Sequence, residues 1–329
     1  MLALNIGYAV VGIAILYWGA EWLIRGSAGV ARAFGVKPLV IGLTVVAYGA
    51  SAPELAVSTK TALTHHAPIA LGTVIGSCAA NISLILGLTA LIAPPTVDDR
   101  LLRREIPILL GSAIAVPLVL WNGVLSRLEG GILIGCAVLF TVLTLTVSSR
   151  VDPDDELADE ARRVEESGAA LGGRGRPHAS RTMAAVMTTL GLLLLVGGTD
   201  LLVEGARGIG NKLGMSERML GLTVISVGTA LPELLGSLVA AGRGHGAIAI
   251  GSVIGSNLLN VFLVLGITGY LGEVRFAEAG AMHTVDLVGL VMLTLLGIVV
   301  LGSSRKVSRF EGAILVLAYA GFIAASALL

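Results

Sequence analysis

Long apolar segments separated by short polar ones make up most of this chain. Examples are LALNIGYAVVGIAILYW near the start and LVGLVMLTLLGIVVLG near the end, each long enough to cross a bilayer as a helix. Windows of about 20 apolar residues predict ten membrane-spanning helices. They are 3–24, 36–64, 68–93, 105–121, 128–148, 183–203, 216–242, 246–272, 281–301 and 309–328. The pattern therefore predicts an all-α polytopic membrane protein with ten transmembrane helices, lying in the lipid bilayer of the plasma (inner) membrane.

One polar stretch interrupts this pattern. Residues 150–181 begin with the charged run RVDPDDELADEARRVEESG and end in a Gly/Arg-rich part, a composition that predicts a solvated linker between two membrane repeats, 1–149 and 182–329. Of the 22 Lys and Arg residues, 16 fall on the linker side of the predicted topology and 6 on the other side. Because short basic loops remain cytoplasmic, we predict a cytoplasmic linker and both termini outside.

The composition narrows the possible functions. Hydrophobic residues make up 55% of the chain, charged residues 13%, and the net charge is zero. A chain without excess positive charge is not expected to bind nucleic acid. The two cysteines, Cys78 and Cys136, lie in apolar segments, so neither a disulfide framework nor a cofactor is predicted.

The second half of the chain repeats the first at an offset of 179 residues. GLTVVAYGASAPELAVS (42–58) aligns with GLTVISVGTALPELLGS (221–237), and LGTVIGSCAANISLILGLT (71–89) aligns with IGSVIGSNLLNVFLVLGIT (250–268). Without any gap, 23 of the 51 paired positions from 42 to 92 are identical. Each repeat holds five predicted spans, so the second repeat must enter the membrane from the opposite side. The sequence thus predicts two inverted five-helix repeats, an arrangement typical of secondary transporters.

A Pro-Glu pair occurs at the same place in both repeats, inside an apolar span. A proline has no backbone N–H, so it leaves an earlier carbonyl unpaired and interrupts the helix. The residues of the two predicted helix breaks are Gly49, Pro53, Gly228 and Pro232. Freed carbonyls at membrane depth are tolerated where they line a cavity, and Glu54 and Glu233 follow the prolines directly. Such oxygens are the hard ligands that Ca²⁺ prefers, so we predict a cation site shared by the two repeats.

A second repeated motif, G-S-x-x-x-N, supplies neutral oxygens. Its serine and asparagine are four residues apart, which places them on one helix face. With hydroxyls beside the glutamates, the predicted auxiliary ligands are Ser51, Thr229, Ser77, Ser256, Asn81 and Asn260. The alternative is that these residues only join neighbouring helices by hydrogen bonds. For the glutamates the alternative is a structural ion pair, but neither Pro-Glu stretch carries a nearby Lys or Arg, and an intramembrane carboxylate marks a functional site.

The remaining intramembrane charges are predicted to be structural. Glu21 and Arg25 have the spacing of a local helical pair. Asp200 and Glu204 are expected at the membrane interface. Asp286 stands near the start of the ninth predicted span, where its side chain is expected to extend toward the interface.

The paired G-x-x-x-P-E and G-S-x-x-x-N motifs resemble those of the cation/calcium exchanger superfamily, in particular its prokaryotic sodium/calcium exchanger-like membrane antiporters. The resemblance covers nearly the whole chain. It implies that Glu54 and Glu233 bind Ca²⁺ and Na⁺ in turn, and that backbone carbonyls such as that of Ala50 complete the shell. It also implies that the first and sixth helices slide across the other eight to alternate access.

Three positions depart from the family pattern. The family usually has Thr-Ser before the x-Pro-Glu in both repeats, whereas this chain has Ala50-Ser51 and Thr229-Ala230. Asn260 stands where many sodium-coupled relatives have Asp. The site therefore has two carboxylates rather than three, and one hydroxyl fewer.

We expect a secondary active antiporter, not an enzyme, that exchanges Ca²⁺ for Na⁺ by alternating access. The near alternative is H⁺/Ca²⁺ antiport, because two protons neutralise two carboxylates as one Ca²⁺ does. A calcium channel or a non-transporting membrane scaffold is a more remote alternative. An intramembrane enzyme finds little support, since neither a paired aspartate motif nor H-E-x-x-H occurs. One chain contains both halves of the site, so a monomer is sufficient.

Overall fold

A computed structural model describes residues 2–33, 47–97, 99–148, 181–242, 244, 246–272, 274–275 and 283–328. Part of the second predicted span, 36–46, lies outside the described residues. The same is true of the predicted linker up to residue 180, and Arg181 already begins a helix. The helical part of the structure is therefore described separately on the two sides of the linker.

The described residues are almost entirely helical. The helices before the linker are α1 (Leu2–Ala33), α2 (Ala47–Ala50), α3 (Ala52–Leu63), α4 (Ala67–Ala79), α5 (Leu86–Ile92), α6 (Asp99–Val119) and α7 (Arg127–Ser148). Those after it are α8 (Arg181–Leu213), α9 (Glu217–Leu220), α10 (Ser226–Thr229), α11 (Leu231–Gly242), α12 (Gly246–Leu259), α13 (Gly266–Gly272), α14 (Thr284–Ser303) and α15 (Arg309–Ala327). Three π-helical segments, Ala80–Ile85, Gly221–Ile225 and Asn260–Leu265, join α4 to α5, α9 to α10 and α12 to α13.

Among the described residues, seven helical segments are long and apolar enough to cross a membrane. The bent pair Glu217–Thr229 and Leu231–Gly242 raises this number to eight if it counts as one span. Large apolar side chains such as Leu118, Leu193 and Val299 are more than half exposed. On a chain this apolar, such a surface faces lipid rather than water. The protein is thus a helical, multi-pass membrane protein.

The segment Ala67–Ile92 forms the centre of the bundle. In its most apolar window 94% of the residues are buried, against 17% for Arg127–Thr146, which lies on the outside. Glycines allow α4 to approach the Gly221–Ile225 segment very closely: a Cβ atom at Gly72 would lie 2.7 Å from the Arg218 carbonyl oxygen and 3.1 Å from the Gly221 Cα. Residues of the first repeat therefore pack backbone to backbone against those of the second.

Helices α1 and α8 form a long antiparallel pair. Both extend beyond the predicted spans 3–24 and 183–203, because they pack against each other along most of their length. Glycines spaced seven residues apart face each other across the pair, Gly12 against Gly198 and Gly19 against Gly191. Small residues at these contacts allow two membrane helices to approach closely.

Substitution of Gly198 is expected to separate this pair. A Cβ atom there would lie 2.9 Å from the Leu16 amide nitrogen and 3.1 Å from the Gly12 carbonyl oxygen. We expect Gly198→Ala to lower the free energy of unfolding by about 1–3 kcal/mol, the usual cost of overpacking. Gly197→Ala is the matched control, because a Cβ atom at Gly197 meets nothing within 4 Å. Thermal unfolding in detergent measures both variants, and equal melting temperatures would contradict the predicted contact.

The all-α prediction needs one small correction. The described residues include a pair of two-residue antiparallel strands, β1 (Val124–Leu125) and β2 (Val274–Arg275), in which Val124 pairs with Arg275. This ladder links the turn after α6 to the residues after α13. The fourth predicted span, 105–121, is also extended, since α6 begins at Asp99.

The prediction for Asp286 was wrong. Its side chain is fully buried, and the Arg218 guanidinium donates two hydrogen bonds to its carboxylate, each 2.7 Å long. Arg218 also donates to the Ser326 carbonyl at 2.7 Å, near the end of α15. The position of Asp286 near the start of its helix indicated the membrane interface. Only the approach of α9 and the end of α15 in three dimensions buries it.

Candidate functional site

Each repeat contains a helix break at its Pro-Glu motif. Between α2 and α3 the break is at Ser51, with φ −83° and ψ 5°. Between α10 and α11 it is at Ala230, with φ −83° and ψ 1°. The two breaks have the same backbone geometry, two residues before the proline in each case, and the second bends its helix pair by 44°. Because Pro53 and Pro232 have no N–H, the carbonyls of the residues four positions earlier lack their helical partner.

Gly49 and Gly228 have a function in packing that the sequence did not reveal. Both have negative φ, so the breaks do not use the left-handed conformations that glycine permits. A Cβ atom at Gly49 would lie 3.1 Å from Ile24 Cδ1, and one at Gly228 would lie 2.9 Å from Ile13 Cδ1. Both glycines therefore allow α1 to pack directly against the two breaks.

The two glutamates are buried at the start of the helices that follow the breaks. Glu54 is 1% exposed in the first turn of α3, and Glu233 is 4% exposed in the first turn of α11. Their carboxylates are close enough to repel each other, and the Thr229 hydroxyl lies beside Glu54. The positive end of a helix dipole stabilises a carboxylate in the first turn, but two adjacent buried carboxylates still favour a positive partner between them.

The Ser/Asn helices of each repeat pack against the break of the other repeat. Helix α2 contacts α12, and α10 contacts α4. In the same way, α3 contacts the π-helical segment Asn260–Leu265, and α11 contacts the segment Ala80–Ile85. The structure thereby brings oxygen-bearing side chains of both repeats to the two breaks. All of them are at most 5% exposed: Ser51, Thr229, Ser77, Ser256, Asn81 and Asn260.

Two of the predicted ligands lie in π-helical segments, which the sequence analysis did not anticipate. Asn81 belongs to the segment Ala80–Ile85, and Asn260 begins the segment Asn260–Leu265. A π-helical turn changes the direction of the following side chains relative to an α-helix, and such turns are frequent at functional sites. The i, i+4 spacing of Ser77 and Asn81 therefore describes the face only up to the start of the π turn.

Many oxygens at this place have no hydrogen-bond partner among the described residues. They are both carboxylate oxygens of Glu54, Oε2 of Glu233, the hydroxyls of Ser51 and Ser77, and the amide oxygens of Asn81 and Asn260. Buried polar atoms are nearly always paired, and each unpaired one is costly. Oxygens without donors are suited to a cation, so the donor set fits a hard cation with several oxygen ligands.

The site contains two carboxylates rather than three. Within the described part of the chain, no group of three or more His, Cys, Asp or Glu side chains is placed to hold a metal. Thr229 retains a hydroxyl, which donates to the Ser226 carbonyl at 3.2 Å, while its neighbour Ala230 has none. The residues present therefore match a divalent cation in charge.

The sequence analysis missed further polar groups around the site. Ser58 and Ser237, one turn after the glutamates and 179 residues apart, are fully buried with unpartnered hydroxyls among the described residues. Asn257, at the repeat position of Cys78, also has an unpartnered amide oxygen, and the Cys78 thiol donates to its carbonyl at 3.9 Å. The conserved offset could have indicated Ser58 and Ser237, because both keep their identity in the repeat. Asn257 faces a cysteine in the other repeat and gave no such signal.

Fold and site together are those of a multi-pass membrane transporter. The family model described as sodium/calcium exchanger protein matches residues 4–146 and 183–328. This chain therefore belongs to the sodium/calcium exchanger family.

Individual relatives extend over nearly the same length. The putative antiporter CaxA of Alkalimonas amylolytica is 37% identical over 317 residues, covering 96% of each chain. The sodium/calcium exchanger MaX1 of Methanosarcina acetivorans is 29% identical and covers 98% of each chain. A solved structure of the sodium-calcium exchanger NCX_Mj, soaked with Na⁺ and Ca²⁺, is similar with a TM-score of 0.64 and 31% identity, over 98% of this chain and 99% of that one.

Proposed function

We propose that the protein is a secondary active antiporter that exchanges Ca²⁺ for Na⁺ across the plasma membrane by alternating access. One observation carries the proposal: Glu54 and Glu233, one from each repeat, are buried side by side among oxygens without hydrogen-bond partners. A buried pair of carboxylates is costly unless a cation neutralises it. One Ca²⁺ balances both charges.

In this proposal the two glutamates are the central ligands. The hydroxyls of Ser51, Thr229, Ser77 and Ser256, the amide oxygens of Asn81 and Asn260, and the Ala50 carbonyl at the end of α2 complete the oxygen shell. Ca²⁺ accepts roughly six to eight oxygen ligands in flexible geometry, which this set can supply. The helix breaks at Gly49–Pro53 and Gly228–Pro232 hold the carboxylates and the free carbonyls at the same depth.

We further propose ten transmembrane helices in two inverted five-helix repeats. The antiparallel packing of α1 and α8, which occupy corresponding positions in the two repeats, supports the inversion. So do the reciprocal contacts of each break with the Ser/Asn helix of the other repeat. The Lys and Arg bias supports a cytoplasmic linker over 150–181, with membrane repeats over 1–149 and 182–329 and both termini outside. Both halves of the site lie in one chain, so a monomer is sufficient.

Sodium is the preferred coupling ion because two relatives, MaX1 and NCX_Mj, are named as sodium/calcium exchangers. Proton coupling is the second candidate, and the residues at the site favour it in one respect. Ala230 and Asn260 remove a hydroxyl and a carboxylate that additional sodium ions would use. Two protons on Glu54 and Glu233 would neutralise the site without those oxygens.

Calcium uptake into proteoliposomes distinguishes the two candidates. Purified protein is reconstituted with internal NaCl or internal choline chloride, at matched pH and again with an imposed pH gradient. Sodium coupling predicts uptake of radioactive Ca²⁺ only with internal NaCl. Uptake driven by the pH gradient alone would establish proton coupling, and a lack of any gradient-dependent uptake would refute antiport.

The substitution Asn260→Asp tests why this site has only two carboxylates. A third carboxylate in the same buried site attracts cations more strongly, so we expect the half-saturating Na⁺ concentration to fall by about tenfold. The matched control is Asn122→Asp, because Asn122 is exposed in a turn, where its side-chain oxygen accepts from the Val124 amide at 2.9 Å. Sodium-dependent Ca²⁺ uptake measures both variants. An unchanged sodium dependence in Asn260→Asp would show that Asn260 does not face the sodium ions.

A further inference from the structure

A polar cavity of about 200 Å³ lies between the C-terminal end of α3 and the middle of α8. It is separate from the glutamate site, and most of the side chains around it are charged or form hydrogen bonds. These side chains include Lys60, Thr61, His66, Asp200, Glu204 and Arg207. On an otherwise apolar bundle, a polar cavity of this size holds water.

One face of α3 connects this cavity with the glutamate site. Glu54, Ser58 and Thr61 follow one another at intervals of four and three residues, which places them on the same side of the helix. Ser58 is fully buried, and its hydroxyl has no partner among the described residues. Thr61 is 1% exposed and lines the cavity. A continuous row of oxygens therefore leads from the cavity to the Glu54 carboxylate.

An ion pair crosses the mouth of the cavity. The Lys60 ammonium on α3 donates to the Asp200 carboxylate on α8, and the two side chains are 35% and 58% exposed. Beside it, Glu217 pairs with His66 at 2.9 Å and with Arg207 at 3.4 Å, which joins α8 to the start of α9. The Lys60–Asp200 pair is thus the contact that links α3 to α8 directly above the row of oxygens.

We propose that the Lys60–Asp200 ion pair is a latch that closes a polar passage from this cavity along α3 to Glu54. The inference rests on the proposed function, since it identifies the passage by which a cation reaches the same site. The Lys60 ammonium occupies the position that an entering cation must cross, and it is held there by a carboxylate that the cation itself can bind. Separation of α3 from α8 breaks the pair and opens the passage.

The repeat makes this latch specific to one end of the protein. At the offset of 179 residues, Lys60 corresponds to Val239 and Asp200 corresponds to Glu21. A valine cannot form an ion pair, and Glu21 instead accepts from Arg25 of its own helix at 2.5 Å. The other end of the bundle therefore has no equivalent of the Lys60–Asp200 pair at these positions.

The accessibility of Ser58 tests the latch independently of transport. Ser58→Cys is reacted with a charged methanethiosulfonate in lipid nanodiscs, where both membrane faces are accessible, with and without Lys60→Gln. We expect Lys60→Gln to accelerate labelling by about two- to fivefold, as much as a partly exposed ion pair supports. The charge swap Lys60→Asp/Asp200→Lys restores the pair and should return the slow rate. The parent chain, with Cys78 and Cys136, gives the background rate.

Ser237→Cys is the matched control, because Ser237 is the equally buried repeat partner of Ser58. Its labelling should not change with Lys60→Gln. If Ser58→Cys does not fold, Thr61→Cys reports the same passage. An equal labelling rate with and without Lys60→Gln overturns the latch, as does an equal acceleration at Ser237→Cys.

Calcium uptake separates failure of the latch from failure of the proposed function. With the latch removed, Lys60→Gln should lower the half-saturating Ca²⁺ concentration on the cavity side by about two- to fivefold. Absence of gradient-driven uptake in the wild-type protein would refute antiport but leave the labelling result valid. Normal uptake with unchanged labelling and unchanged Ca²⁺ dependence would refute the latch alone.

Discussion

Glu54→Gln and Glu233→Gln should each abolish Ca²⁺ exchange while leaving the fold intact. Each substitution keeps the size of the side chain but removes one of the two charges that bind the cation. Two unit charges about 4 Å apart at the edge of a protein attract by about 4 kcal/mol, and a divalent ion by more. We therefore expect Ca²⁺ uptake to fall by at least about a hundredfold.

Proteoliposome uptake measures this loss, and thermal unfolding of the same preparations establishes that the variants are folded. Glu21→Gln is the matched control, because Glu21 is partly exposed in a local pair with Arg25 and lies outside the site. It should retain uptake. If either glutamine variant keeps substantial exchange while Glu21→Gln behaves like the wild type, the cation does not bind between Glu54 and Glu233.

The largest effect on stability is expected for Arg218→Met. The substitution leaves the fully buried Asp286 carboxylate without its charged partner and the Ser326 carbonyl without its donor. Removal of one member of a buried ion pair costs about 3–5 kcal/mol. We therefore expect a markedly lower melting temperature in detergent, since α9, α14 and α15 lose their common contact.

Two further variants show whether the cause is the unpaired charge. Arg25→Met breaks an exposed pair and should cost no more than about 1 kcal/mol. The double substitution Arg218→Met/Asp286→Leu replaces the buried pair with apolar side chains and should recover much of the stability, as such replacements do elsewhere. If Arg218→Met melts like Arg25→Met, the ion pair does not hold these helices together.

The sequence was sufficient to name the residues with the strongest chemical contrast to their surroundings. Glu54 and Glu233 stand out because a carboxylate in an apolar span is costly, and Pro53 and Pro232 because a proline interrupts a helix wherever it lies. The offset of 179 residues adds a second, independent signal, since it matches these residues in pairs. Each of these signals is local, and each is therefore visible in the residue order.

Other features depend on which helices are neighbours. Asp286 reads as an interfacial residue until Arg218, 68 positions earlier, is placed against it. Gly49 and Gly228 read as flexible points, whereas α1 packs on them so closely that a Cβ atom has no room. The π-helical segments at Asn81 and Asn260 likewise have no local signature, because such turns arise where packing favours an extra residue in the helix.

The residue order alone thus determined that the chain is a helical membrane protein with a duplicated Pro-Glu motif, because burial in lipid requires apolar spans and makes polar exceptions conspicuous. The tertiary structure decided which of those exceptions meet. It brought Glu54 and Glu233 together, paired Arg218 with Asp286, and set Lys60 against Asp200. These contacts join residues far apart in the chain, and only the packing of whole helices brings such residues within reach of one another.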